Sequence, residues 1–444
     1  MPVDLVLKNA KICTSTEVFR AGLAIDGDRI ARIAKEPNLP PASEEMNLSG
    51  LTVLPGLIDA HVHLRDQKLE YKEDFYTGTA AAANGGVTLV IDMPNNVPVT
   101  MDAKSLRERM SIASRRSIVN VAFYSAFPSR VREMRDIVQE GAKAFKLYMS
   151  EKIGGLDPDD EGTLVEAFRE AANLNVPVSV HAEDRRLLKQ ALTQVREANR
   201  NDVNAYVSVH STDAEVKAIT RVMDLVKKSH ACTHVCHVSS GKGMKTVESA
   251  KLAGLPVTCE VTPHHLLLSS RDLKDLGPVA LTNPPLRSIE DMRSLWSSLR
   301  CGIVDILASD HAPHSRQEKE GPSFWNISPG IAGVEALLPL MLTQVSKGHL
   351  PLSTLVRITS ERPAEIFRIA NRGVLKEGNY ADLVVVDLRK KWRIDSSIFQ
   401  SKEKFSPFDG WQVKGKPVKT FVNGRLVMDE GEIVGEPGDG RIIR

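Results

Sequence analysis

A chain of 444 residues, 42% of them hydrophobic and 26% charged, has the composition of a folded globular protein. It is long for one compact core and suits a large α/β barrel with a smaller appendage. Its 58 Lys and Arg residues against 56 Asp and Glu leave a formal charge of only +2, so composition argues against a nucleic-acid groove or a membrane-attracted surface. The opening Met1-Pro2-Val3-Asp4 lacks the basic region and apolar core of an export signal, and no run reaches the roughly 18 apolar residues of a membrane span. Cysteines at positions 13, 232, 236, 259 and 301 are scattered like free thiols of a reducing compartment, so the expected location is the cytoplasm.

In chain order, residues 3–9, 21–26 and 29–34 are short β-prone runs, with Asp26-Gly27-Asp28 as a hairpin turn. The pattern changes near Gly56, where an apolar strand runs into His61 and His63. Seven further apolar strands follow, at 88–93, 118–123, 144–148, 177–181, 232–237, 257–261 and 305–310, each with room for a helix after it. Eight such units predict a TIM-type (β/α)8 barrel. From about residue 375 the character returns to β, at 380–387 and 418–427, with Asn423-Gly424 as a hairpin signal. The expected division is residues 1–54 as the N-terminal part of a small β-sandwich domain, 55–370 as the barrel, and 371–444 as the C-terminal part of the β domain and a tail. The stretch Gly435 to Gly440 reads as mobile.

His61, Lys146, His181, His237 and Asp310 fall near the C-terminal ends of their strands, the face on which barrels place chemistry. Two positions apart on an extended strand, His61 and His63 share a face, so one ion could bind both. With His181, His237 and Asp310 they read as metal ligands. Lys146, flanked by Phe145 and Leu147, is costly to bury as an ammonium. It is either chemically changed, by carboxylation to a carbamate able to bridge two cations, or it reaches solvent beyond the barrel mouth. His234 and His237 lie three apart and should point to opposite faces of a regular strand, which favours His237 at the end position. Glu183 and Glu260 could orient imidazoles from outside, and His264 and His265 read as supporting or packing residues. Cys232, Cys236 and Cys259 read as small core fillers. Residues 316–330 have the composition of a barrel-mouth loop.

The motif set resembles the amidohydrolase superfamily and, within it, the dihydroorotases, over almost the whole chain. The matching pieces are Asp59-Ala60-His61-Val62-His63-Leu64-Arg65, Met93-Pro94-Asn95-Asn96, Phe145-Lys146-Leu147-Tyr148, His181-Ala182-Glu183, His237-Val238-Ser239, Cys259-Glu260-Val261-Thr262-Pro263-His264-His265, Asn283-Pro284-Pro285-Leu286-Arg287 and Ser309-Asp310-His311-Ala312-Pro313-His314. The first histidine pair indicates only the superfamily; Arg65, the Asn-Pro-Pro-Leu-Arg run and His314 narrow the match. The resemblance implies two divalent metal ions. One would be held by His61, His63, carboxylated Lys146 and Asp310, the other by His181, His237 and the second carbamate oxygen, with a hydroxide bridging them. Some relatives carry a bridging aspartate where this chain has Lys146. Zinc suits so imidazole-rich a set, and cobalt or manganese would fit the same ligands.

The reaction so implied is reversible cyclisation of N-carbamoyl-L-aspartate to dihydroorotate, a step of pyrimidine biosynthesis. Asp310 would shuttle the proton, and Arg65, Asn95, Asn283 and His314 would hold the substrate. A hydantoinase, dihydropyrimidinase or allantoinase would use the same metals on a related cyclic amide, and Arg65 and His314 discriminate against rings lacking a carboxylate. A non-enzymatic barrel scaffold is the remote alternative. A homodimer is the mild expectation for assembly, and the resemblance also admits a carbamoyltransferase partner.

Overall fold

The computed structural model describes residues 2–444. Five strands come first: β1 (Val3–Cys13), β2 (Val18–Asp26), β3 (Arg29–Ala34), β4 (Ala42–Asn47) and β5 (Thr52–Pro55). Eight barrel strands follow: β6 (Leu57–Val62), β7 (Val87–Asp92), β8 (Asn120–Ala126), β9 (Ala144–Tyr148), β10 (Val178–His181), β11 (Thr233–Val235), β12 (Val257–Val261) and β13 (Ile306–Leu307). Four more close the chain: β14 (Leu383–Arg393), β15 (Gln412–Val422), β16 (Arg425–Asp429) and β17 (Glu432–Ile433).

The terminal strands form one mixed nine-stranded sheet in the order β17-β16-β15-β14-β5-β1-β2-β3, with β4 beside β1. The seam between the two ends of the chain is β14 against β5, in register from Leu383 on Pro55 to Val386 on Thr52. One buried face carries Leu7, Ile12, Leu23, Ile25, Val53, Val385 and Phe421, the alternation expected of a sheet covered on that side. Gly56 then separates two sheets with no loop, and a Cβ there would strike the Thr88 side chain at 2.2 Å, so the close approach excludes larger residues.

The eight barrel strands pair in sequence order and in parallel. β13 has only two residues, and the ring closes through the irregular segment after it, by a bridge between Val62 and His311 and a 2.8 Å bond from His63 N–H to His311 O. Inside, Ala60, Ala122, Ala144 and Ala308 leave room for Tyr124 and Phe367, whose rings meet edge-on at 5.6 Å and fill the base. Outside, buried Val, Leu and Ala of the strands meet the covering helices in the largest core cluster.

Three expectations are corrected here. The strand read at 118–123 begins at Asn120, because the Ile118 N–H is diverted to the Thr79 hydroxyl. Residues 435–440 are docked rather than mobile: Gly440 lies so close to Val119 O that a Cβ would come within 2.0 Å, and Ile442 and Ile443 continue by pairing with Val121. Cys232 is exposed, whereas Cys236 and Cys259 are buried, and all five cysteines are free thiols.

The two sheets are also tied through one buried carboxylate, that of Asp382, which accepts from Asn120 Nδ2 of β8 at 3.3 Å. Arg372 pairs with Asp382, both nearly inaccessible, and Asp382 also accepts from Asn423 N–H at 2.7 Å. Arg372→Met is expected to strand that carboxylate and cost about 3–5 kcal/mol, read as an earlier midpoint of urea unfolding. A midpoint equal to that of the wild type would show that the pair does not tie the sheets.

Candidate metal centre

His61 lies within β6 and His63 one residue beyond its end, and both rings point to the barrel mouth as the two-residue repeat requires. Their Nε2 atoms converge on one oxygen, Asp310 Oδ1, at 3.3 and 3.2 Å. On the far side of the same space, His181 Nδ1 and His237 Nε2 lie 3.1 Å apart. The His61 and His237 rings, 5.2 Å between centres, join the two groups. His61, His63 and Asp310 place their donor atoms within 4.8 Å of one another, all buried. His61, Cys236 and Glu260 do the same, but that set shares His61, whose Nδ1 is already taken by Glu260.

The imidazoles of His61, His63 and His181 are each aimed by a partner on the other nitrogen. Glu260, on β12, accepts from His61 Nδ1, from His234 Nε2 at 3.0 Å and from His237 N–H at 3.1 Å. Glu183 accepts from His181 Nε2 at 2.8 Å and from His210 Nδ1 at 2.9 Å. Asn95 Oδ1 lies 2.7 Å from His63 Nδ1. Metal-binding imidazoles need such partners to fix the tautomer that presents a lone pair. Asp59 braces the centre from below, its Oδ1 accepting from His61 N–H at 3.2 Å and Ser309 N–H at 3.1 Å. Burial raises the Asp59 carboxyl to about 7.

Electrostatics favours a cation at this place. Burial would raise Glu260 and Asp310, yet the facing imidazoles, His61 first in both cases, hold both carboxyls below their ordinary values. Burial drives His63 down to about 4 and His237 well below its usual range, so neutral imidazoles present lone pairs. Among the described residues, His237 Nδ1 has no hydrogen-bond partner. Four imidazole nitrogens and an ionised carboxylate around one space match the donor set of a divalent transition metal, and their division into two adjacent groups suits two ions.

Lys146 does not reach solvent. It is fully buried on β9, and among the described residues the one hydrogen bond of its Nζ is to Cys236 Sγ at 3.0 Å. A thiol is a weak acceptor for a group with three donors. His234 and His237 do not obey the two-residue repeat, since β11 ends at Val235 and His237 has φ 33°. The His234 ring turns to Glu260, one level deeper and edge-on to Phe367, whereas the His237 ring turns to His181 and only its backbone N–H reaches Glu260. His264 and His265 sit on the short helix Pro263–Leu267, and His265 is engaged by Thr262 and by Pro284 O at 3.1 Å.

The centre opens into a cavity of about 570 Å³ whose wall includes Arg65, Asn95, Asn283 and His314. Arg65 is buried, its Nε 3.4 Å from Pro313 O and its Nη2 3.3 Å from His314 Nε2. His314 Nε2 also lies 3.1 Å from Pro329 O, which fixes the start of the 316–330 loop against its end. Asn283 Oδ1 accepts from Tyr206 OH at 2.6 Å. Tyr206 is stacked between His210 and Trp325, with centres 4.8 and 5.7 Å away. Tyr148, whose hydroxyl has no partner among the described residues, lines the wall as well. Sequence reasoning missed Asp59 as a brace, Tyr148, Tyr206 and His210. Asp59, inside the first histidine motif, and Tyr148, at the end of the Phe145-Lys146-Leu147-Tyr148 motif, carried a local signal; Tyr206 and His210 carried none.

Comparison with known proteins agrees with this geometry. The amidohydrolase family model matches residues 52–427. A dihydroorotase of Methanothermobacter thermautotrophicus is 38% identical over 442 residues, covering 99% of this chain and 97% of that protein. An L-hydantoinase of Paenarthrobacter aurescens is 34% identical over 447 residues, covering 99% and 98%. The solved L-hydantoinase (dihydropyrimidinase) from Arthrobacter aurescens superposes with a TM-score of 0.96 at 33% identity, over 99% of each chain. Barrel, donor set and similarity along the whole chain lead to one conclusion: the protein belongs to the amidohydrolase family.

Proposed function

We propose that the protein opens and closes a cyclic ureide ring with the help of two divalent metal ions, and that the ring carries a carboxylate, as dihydroorotate does. His61, His63 and Asp310 would hold one ion and His181 and His237 the other. Lys146, as a carbamate, would supply an oxygen to each, which answers the lack of a strong acceptor around its buried nitrogen. When bound, the ions lower the pKa of water and polarise the ring carbonyl, and zinc suits the imidazoles best.

The chain's own groups do the rest. Glu260, Glu183 and Asn95 keep the imidazoles aimed. Asp310 takes the proton of the attacking water and returns it to the departing ring nitrogen; ring closure runs the same transfers backwards. Tyr148 and the Tyr206 to Asn283 pair offer hydrogen bonds to the ring from the cavity wall.

The observation that carries the acidic-ring reading is Arg65. Its guanidinium is buried in the cavity wall and forms no ion pair among the described residues, its contacts being a carbonyl and an imidazole. Burial pulls its pKa down, a sign of the cost of desolvating the cation. A substrate carboxylate would supply the missing countercharge, with His314 and Asn95 beside it. The second reading, a hydantoin with an apolar side arm, is favoured by Leu188, Leu192, Val209 and Trp325 along the cavity's wall and by the likeness to the solved L-hydantoinase.

The deciding experiment incubates the metal-loaded protein separately with dihydroorotate, hydantoin, a 5-alkyl hydantoin and allantoin, and follows loss of each ring. Dominant consumption of dihydroorotate is expected; dominant consumption of the alkyl hydantoin would replace the first reading by the second. Arg65→Met is expected to raise KM for dihydroorotate about 10- to 100-fold while sparing hydantoin, and equal losses on both would remove Arg65 from carboxylate recognition. Asp310→Asn should lower kcat by at least about 100-fold with the fold intact by circular dichroism; near-normal turnover would defeat its role in proton transfer. Glu260→Gln is expected to weaken metal affinity about 10- to 100-fold, measured by competition with a chelator, and unchanged affinity would show that aiming His61 does not matter.

A further inference from the structure

Arg65, Asp66 and Gln67, which carry the chain away from the two histidines, have φ of 53°, 55° and 52°. A run of three non-glycine residues in the left-handed region persists only where its surroundings dictate it, and such strain gathers at functional sites. Beside Glu73 O, which accepts from Asp66 N–H at 2.9 Å, and Phe75 N–H, which donates to Asp66 Oδ2 at 3.1 Å, the surroundings include one helix, Ala103–Arg116. Arg109, fully buried on its inner face, pairs through Nε and Nη2 with Asp92 Oδ2 at 2.7 and 2.6 Å. Its Nη1 donates to Arg65 O at 2.9 Å and to Gln67 Oε1 at 3.2 Å. Asp92 in turn accepts from Leu64 N–H at 2.8 Å. Two turns along the same face, Arg116 reaches Asp66 Oδ2 at 2.9 Å. Gln67 Oε1 also accepts from Asn96 Nδ2 at 2.6 Å, which links the turn to the residue after Asn95.

We infer that Arg109 is a positioning residue for substrate selectivity: by gripping the Arg65 carbonyl and Gln67 it holds the left-handed turn that aims the Arg65 guanidinium into the cavity. Arg109 does not line that cavity and touches no substrate; its charge is spent on Asp92. The inference rests on the reading that Arg65 receives the substrate's carboxylate. It adds that this recognition is set from behind, by a residue on a different β/α unit.

Two readouts test it on the metal-loaded protein. The first is steady-state turnover of dihydroorotate and hydantoin by wild type, Arg109→Lys, Arg65→Met and the double variant. Lysine keeps a charge for Asp92 and loses the fork that reaches the Arg65 carbonyl. Arg109→Lys is expected to raise KM for dihydroorotate about tenfold or more, to leave kcat and the hydantoin parameters within about twofold, and to add little once Arg65 is Met. Equal losses on both substrates, or effects that multiply in the double variant, would overturn the proposal and leave Arg109 a general support of the fold.

The second readout needs no substrate. Hydrogen exchange in the segment 64–68 is expected to quicken at least tenfold in Arg109→Lys while the barrel strands stay protected, and unchanged exchange would overturn the proposal. Should wild type open hydantoin and ignore dihydroorotate, the acidic-ring reading fails on its own, and exchange alone decides whether Arg109 holds the turn. If Arg109→Lys does not fold, Gln67→Ala, at a partly exposed position, removes one of the same anchors. It is then expected to shift KM and exchange in the same direction, and no shift in either would overturn the proposal.

Discussion

A buried carboxylate with three claims on it organises the centre. Glu260 takes the proton-bearing nitrogen of His61, that of His234 beneath it, and the backbone N–H of His237. These residues come from β6, β11 and the turn after β11, so one side chain on β12 sets the mutual placement of groups from both halves of the metal site. A carboxylate without solvent must be fully engaged or it is expelled or protonated. Full engagement here demands that His61 present its other nitrogen to the mouth. The tautomer of His61 thus follows from burial of its neighbour.

The same economy governs the wall of the cavity. Arg65 sits on a turn that its own sequence does not favour, held by a helix that does not line the cavity and by Glu73, Phe75 and Asn96. On the opposite side, Tyr206 is clamped between two aromatic rings before its hydroxyl meets Asn283. Both cases follow the general requirement that a recognition group be locked by its supports, since a loose group loses binding energy to its own ordering.

Much of the architecture was legible because its signals are local and periodic. Apolar runs separated by helical stretches announced the barrel, and the spacing of His61 and His63 placed both rings on one face. Where the reading went astray, a tertiary contact had overruled a local pattern. Period-two logic separated His234 from His237, and their rings do take different partners, Glu260 and His181, but β11 stops after three residues and the His237 backbone N–H returns to the same glutamate. Glycine and aspartate at 435–440 resemble a loose tail, yet a glycine is what permits contact with Val119, and the residues just beyond it form pairs. The thiol partner of Lys146 lies 90 residues away, and Arg109 sits 44 residues from the carbonyl it grips. Neither separation leaves a mark on composition or spacing. The metal-facing histidines could be nominated from sequence; what aims them could be nominated only for Glu183 and Glu260.

Arg441 donates to Asn120 across a separation of 321 residues, and Ile442 and Ile443 pair with Val121 beside it. During vectorial synthesis β8 therefore emerges long before the segment that completes its lower end. Contacts of such long range carry a high entropic cost of closure and form late. The lower end of β8 gains these partners only after residues 441–443 have been made, so a ribosome-bound chain stalled before residue 441 carries an unfinished floor to its barrel.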